Sequence, residues 1–141
     1  MKHSAVPPDE TLAHALGMIV AANGRIDERE LSVLDRLDAF RRLGVGRERF
    51  IDIARSCVAD VGVHLSERSW LRAEHMTYID ALLDAVSGSE ERMLVCCLAA
   101  AVITADGRVT HDERLVYDHA LARWRVNASD VTQAILRDRV R

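Results

Sequence analysis

Oxygen-bearing side chains gather at two short turns of this 141-residue sequence, and binding of a hard cation is the chemistry they suggest. Around the second turn, Ala105-Asp106-Gly107-Arg108-Val109-Thr110-His111-Asp112-Glu113 sets the carboxylates of Asp106 and Glu113 on either side of a glycine. The first turn, Ala22-Asn23-Gly24-Arg25-Ile26-Asp27-Glu28-Arg29-Glu30, aligns with it without gaps, Asn23 falling on Asp106 at an offset of 83 residues. It supplies Asn23, Asp27 and Glu30. Asp, Asn and Glu oxygens favour Ca²⁺ or Mg²⁺, with Zn²⁺ a weaker fit that the donors still admit.

Helix capping competes for the same residues. Gly24 and Gly107 suit the left-handed position past a helix end. Thr110-x-x-Glu113 is a capping box and Asp27-x-x-Glu30 its analogue, each cap contributing about 1 kcal/mol. Asp106 fits that account less well. A carboxylate at a helix C-terminus faces the negative end of the macrodipole, at a cost of about 0.3–1 kcal/mol unless a positive charge is close. A bound cation would offset it. An EF-hand is excluded, because with Gly107 at loop position six the first ligand position falls on Val102 and the third on Thr104. In the first copy they fall on Ile19 and Ala21. What remains is an acidic turn offering two or three oxygens, with other ligands drawn from elsewhere in the fold.

Other polar groups carry less. His111, Asp112, Asp118 and His119 make a polar stretch without the H-E-x-x-H spacing, and solvated helix surface explains them as well. Glu10 and His14, four apart, read as a surface pair. The basic run Arg41, Arg42, Arg47 and Arg49 reads as a solvated loop. Cys57, Cys96 and Cys97 form no C-x-x-C and sit in apolar runs, so they read as reduced core thiols of a cytoplasmic protein. No nucleophile–base set and no phosphate-binding glycine loop is present, which argues against an enzyme.

The elements that must position the turns are helices. Residues 93–105 are apolar apart from Thr104, and a helix apolar all round is a buried one. Thirteen residues span roughly 20 Å, short of a hydrocarbon core of about 30 Å, so no membrane span is expected. This segment, 89–105, reads as the central helix of a bundle. Before it, Pro7-Pro8 disfavours helix in residues 1–8, which read as a disordered lead. Helices are then expected from Asp9 to about residue 22, from Asp27 to Gly44 (apolar stripe Leu31, Leu34, Leu37, Phe40) and from Gly46 to Gly62 (Phe50, Ile51, Ala54, Val58 inward). A fourth runs from Ser66 to Ser87. After the central helix comes one from Thr110 with Leu115, Val116, Leu121 and Trp124 inward, and a last one from Asn127 with Val131, Ile135 and Leu136. The fold class is all-α: one domain, 9–141, of about seven helices, with two pseudo-equivalent helix–turn–helix halves.

An Ala-rich apolar helix, then Ala-Asp-Gly-x-Val, a Glu six residues past the Gly, and a second copy near the N-terminal end resemble the TerB-like family. That family includes tellurite-resistance TerB proteins and the TerB-like domains of some co-chaperones. The resemblance runs from about Asp9 to Val140. It implies a compact helical bundle in the cytoplasm, acting in metal or stress response rather than catalysis. The family's metal-ligand positions fall on Asp106 and Glu113, and on Asp27 and Glu30; Asn23 departs from the family's usual Asp.

Composition narrows the partners. A formal net charge of -3 argues against nucleic acid as the main partner. A divalent metal ion and a protein partner are the two expected. The competing reading is a metal-free helical protein–protein interaction module.

Overall fold

The computed structural model describes residues 8–21, 28–60, 73–105 and 111–140. Among them the chain is all-helical: a 3-10 turn, Pro8–Glu10, then α1 (Thr11–Val20), α2 (Glu28–Arg36), α3 (Ala39–Leu43), α4 (Arg47–Asp60), α5 (Ala73–Asp84), α6 (Ser89–Ala105), α7 (His111–Trp124) and α8 (Ala128–Val140). Pro8 thus belongs to the ordered turn rather than to a lead. Asp9 is not the cap of the first helix; Glu10 holds that place and makes no side-chain cap bond. The opening of the fourth expected helix, Ser66 and Trp70 included, lies outside the described residues. No helix among those described is long and apolar enough to cross a membrane.

Among the described residues eight α-helices stand where seven are expected, because the second breaks in two. Asp38 takes a left-handed conformation, φ 58°, between α2 and α3. Aspartate tolerates that conformation better than most residues, and its carboxylate accepts a 2.5 Å bond from Arg41 Nε. The break turns Leu37 out of the expected apolar stripe, leaving it 37% exposed, while Phe40 stays buried.

Two helices share the centre. α1 packs on α4, α5, α6 and α7, and Ala13 and residues 15–20 are all buried. α6 packs on α1, α2, α7 and α8, but one of its faces (Met93, Cys97, Ala100, Ala101) is only half covered. The expectation of a single fully buried central helix therefore holds better for α1. Gly17 explains how closely α1 lies on α4: a Cβ there would meet the Cα of Ala54 at 3.4 Å. Thr104, the one polar residue of the α6 run, bonds back to the carbonyl of Ala100 at 2.9 Å, so its hydroxyl is satisfied within the helix.

Inward faces follow the neighbours. In α4 they are Phe50, Ile53, Ala54 and Cys57, with Ile51 only half-buried. Val58 lies outside the described side chains. In α7, Val116, Ala120, Leu121 and Trp124 point in and Leu115 points out; in α8, Val131 is buried and Leu136 is 52% exposed. Trp124 and Arg92 close the end of α5. The indole Nε1 donates to the carbonyl of Leu83 at 2.9 Å, Arg92 Nε donates to that of Val86 at 2.7 Å, and the guanidinium lies 5.9 Å from the indole centre. Leu83 carries a C-terminal carbonyl of α5 and Val86 lies just past the helix end, and both accept from side chains of other helices.

α3 and α7 end alike. Gly44, φ 82°, and Arg125, φ 56°, are both left-handed. The next residue donates five back in each case, Val45 to Phe40 and Val126 to Leu121, at 3.0 and 2.9 Å. This is the Schellman arrangement. The chain then re-enters a helix, at Arg47 in one case and at Ala128 in the other. Asn127 caps the second, its Oδ1 accepting from the Ser129 backbone N–H at 2.8 Å.

Candidate metal site and the polar clusters

α1 ends at Val20 and α2 begins at Glu28; α6 ends at Ala105 and α7 begins at His111. The starts of α2 and α7 and the end of α6 fall where the capping residues require, whereas α1 stops earlier than expected, with Ala21 as its C-cap three residues before Gly24. Asn23, Asp27 and Asp106 lie outside the described residues. Glu113 stands in the first turn of α7, with its side chain outside them.

Glu30 is described. It stands in the first turn of α2 and is 5% exposed, the one charged side chain in the buried set among the described residues. Leu31, Val33 and Leu34 share its burial, and α2 packs on α6, the helix that leads into Asp106. A carboxylate withdrawn from water costs several kcal/mol unless it is paired or hydrogen-bonded. Glu30 does make a polar interaction. Its oxygens are hard donors and suit the cations expected from the sequence. Among the described residues themselves, no group of three His, Cys, Asp or Glu side chains is placed to hold a metal ion.

Three polar clusters differ from their sequence reading. Glu10 and His14 are not a surface pair: their side chains are 15% and 14% exposed, with Nε2 to Oε1 at 3.8 Å. Arg49 of α4 clasps Glu10 through two bonds, 2.8 and 2.7 Å, tying the 3-10 turn to α4. Those bonds, reinforced by the charges of Arg49 and His14, hold the Glu10 carboxyl below the usual glutamate range. A lowered folded value stabilises above the ordinary glutamate pKa, about 4.3, and the gain is lost as pH falls through the lower folded value. Arg49→Ala should therefore lose stability at pH 7, and its gap from the parent should close in strong acid. Urea titrations at several pH values read this; a gap that persists or widens in acid would contradict it.

The basic run is likewise no free loop. Arg41 pairs with Asp38, Arg47 opens α4 and bonds both Glu28, at 2.9 Å, and Asp35 of α2, and Arg49 holds Glu10. Between α5 and α7 lies a network that the local sequence gave no sign of. His119 Nε2 is 2.5 Å from Asp80 Oδ1, and Arg123 bridges Asp80 at 3.3 Å and Asp84 at 2.8 Å. Arg123 holds the Asp84 carboxyl below its usual range. Asp118 pairs instead with Arg114, so His119 and Asp118 serve different partners.

The three cysteines are free thiols. Burial pushes the Cys96 thiol up to about 12, with Cys97 beside it adding to the shift, and burial pushes the Tyr117 hydroxyl to about 12 as well. Both stay protonated at neutral pH. A thiol held protonated in this way is a poor nucleophile.

No family model, curated protein or solved structure matches this chain.

Proposed function

We propose that this chain is a TerB-like helical protein that holds a hard divalent cation, Ca²⁺ or Mg²⁺ before Zn²⁺, through carboxylates at its two Asp/Asn-Gly turns, in a stress or tellurite-resistance response. The observation that carries the reading is Glu30. A glutamate that only caps a helix can do so from the surface, whereas Glu30 is buried on the helix that packs against α6. Its oxygens, with those of Asp27 and Asn23, and the oxygens of Asp106 and Glu113, would hold the ion. The ion would neutralise the carboxylate that the α6 dipole disfavours.

The packing of the two halves matches in part: among the described residues α6 packs on α7 across the second turn, whereas α1 makes no comparable contact with α2 across the first, but two other pairings correspond. α1 meets α4 as α6 meets α8, and α1 meets α7 as α6 meets α2. The turns are offset by 83 residues, but the Schellman ends after them, Val45 and Val126, are offset by 81. The first copy thus has two extra residues between turn and cap. The break at Leu37 and Asp38 lies within that stretch, where α7 runs unbroken. Two surplus residues that an α-helix cannot absorb without rotating its buried face are accommodated by the break.

Thermal melting of the full chain with Ca²⁺, Mg²⁺ or Zn²⁺, against chelator, tests the reading. An ion at 100 times its dissociation constant adds about 2.7 kcal/mol, which for a chain of this size raises the melting temperature by roughly 5–10 °C. If none of the three ions shifts the melt, the metal reading fails and the helical interaction module takes its place.

A further inference from the structure

We propose that one flank of α2, carrying Arg29 and Arg36, docks an acidic, extended segment of a partner protein. Arg29 adjoins Glu30 in sequence, so the test is run in chelator, and the proposal does not depend on the metal reading.

α2 carries opposite charges on neighbouring strips. Glu28 and Asp35, seven residues apart, are both taken by Arg47 of α4. Arg29 and Arg36 repeat the same seven-residue spacing one position along, with Ser32 between them. No acidic side chain among the described residues pairs with either arginine. Both line an open cavity of about 430 Å³ together with Glu28, Ser32 and Val33. Among the described residues Glu28 is the one carboxylate on that lining, and Arg47 already holds it at 2.9 Å. Val33 is buried, which gives the cavity an apolar edge beside its two cations.

The spacing selects the ligand. Seven helical residues place the two Cα atoms about 10.5 Å apart along the axis. A peptide extended as polyproline II rises about 3.1 Å per residue and returns to the same face every three residues, so acidic side chains three apart lie on one face about 9 Å apart and offer one carboxylate to each guanidinium. Arg is suited to this, since its planar fork takes a carboxylate through two bonds. An apolar residue between the acids would lie toward Val33, and Ser32 can bond the peptide backbone. A nucleic acid needs a broad basic surface, and the chain's net charge of -3 opposes it.

A fluorescein-labelled peptide of sequence GELAEG, titrated by anisotropy into the full chain at low salt with chelator present, tests the proposal without involving any metal. We expect saturable binding that weakens at least tenfold in the Arg29→Glu/Arg36→Glu double variant and with the GQLAQG peptide. The double variant Arg55→Glu/Arg137→Glu makes the same charge change at two other exposed arginines and should bind within about threefold of the parent. Both variants are surface changes whose fold is checked by circular dichroism. Three results would overturn the proposal: no binding at millimolar chain, equal losses in the two double variants, or displacement of the peptide by a short oligonucleotide that itself binds more tightly.

Discussion

Phe50→Ala should lower the stability of this chain by about 3–5 kcal/mol, the cost of emptying a fully buried aromatic site. Phe50 lies in the first turn of α4, meets Phe40 of α3 in a tilted ring contact with centres 5.6 Å apart, and belongs to the core that α4 closes against α1. The site cannot collapse easily. α1 already approaches α4 backbone to backbone at Gly17, so α4 has no room to move inward there. Against a typical total of about 5–15 kcal/mol the loss is large. The midpoint of urea unfolding should fall by roughly 2 M, and Phe50→Leu, which keeps most of the volume, should lose about 1.5 kcal/mol or less. A fall under about 0.5 M for the alanine variant would mean that α3 and α4 repack freely, and that Phe50 does not anchor them.

The second large effect separates capping from ligation at Asp106 and Glu113. If Glu113 only caps α7, Glu113→Gln should be nearly silent, because glutamine serves a capping box almost as well. If Asp106 only faces the dipole of α6, Asp106→Asn should be neutral or stabilising, as Asn23 in the other turn suggests. We expect otherwise with metal present. Each change should remove most of the roughly 2.7 kcal/mol that a saturating ion supplies, while stability in chelator holds or rises. Glu30→Gln should show the same sign with a smaller loss, since its turn carries Asn23 in place of an aspartate. Melts of the variants with and without ion read the difference directly. Identical behaviour in both conditions would leave only the caps.

Much of the architecture is legible in residue order because it is local. The Asn127 cap of α8 and the Gly44 stop are interactions within one or two turns of chain. They are decided by the residues that make them. So is the all-helical class, since apolar runs at helical spacing cannot lie flat in a sheet. The candidate ligands were legible too, as residue types at a repeated spacing.

What the tertiary structure alone decided is which side of each helix has a neighbour. Leu115 and Leu136 are as apolar as Leu121 and Val131, yet the first two face outward and the others are buried. The reason is that the hydrophobic effect has no direction; it rewards whichever face the packing covers. The pairs His119 with Asp80, Arg123 with Asp84 and Arg49 with Glu10 each join residues 39 positions apart, a distance over which charge leaves no local pattern. Glu30 is the sharpest case. Its place three residues past Asp27 reads as a cap, and only the packing of α2 on α6 withdraws its carboxylate from water, where a charge has to be matched by a partner.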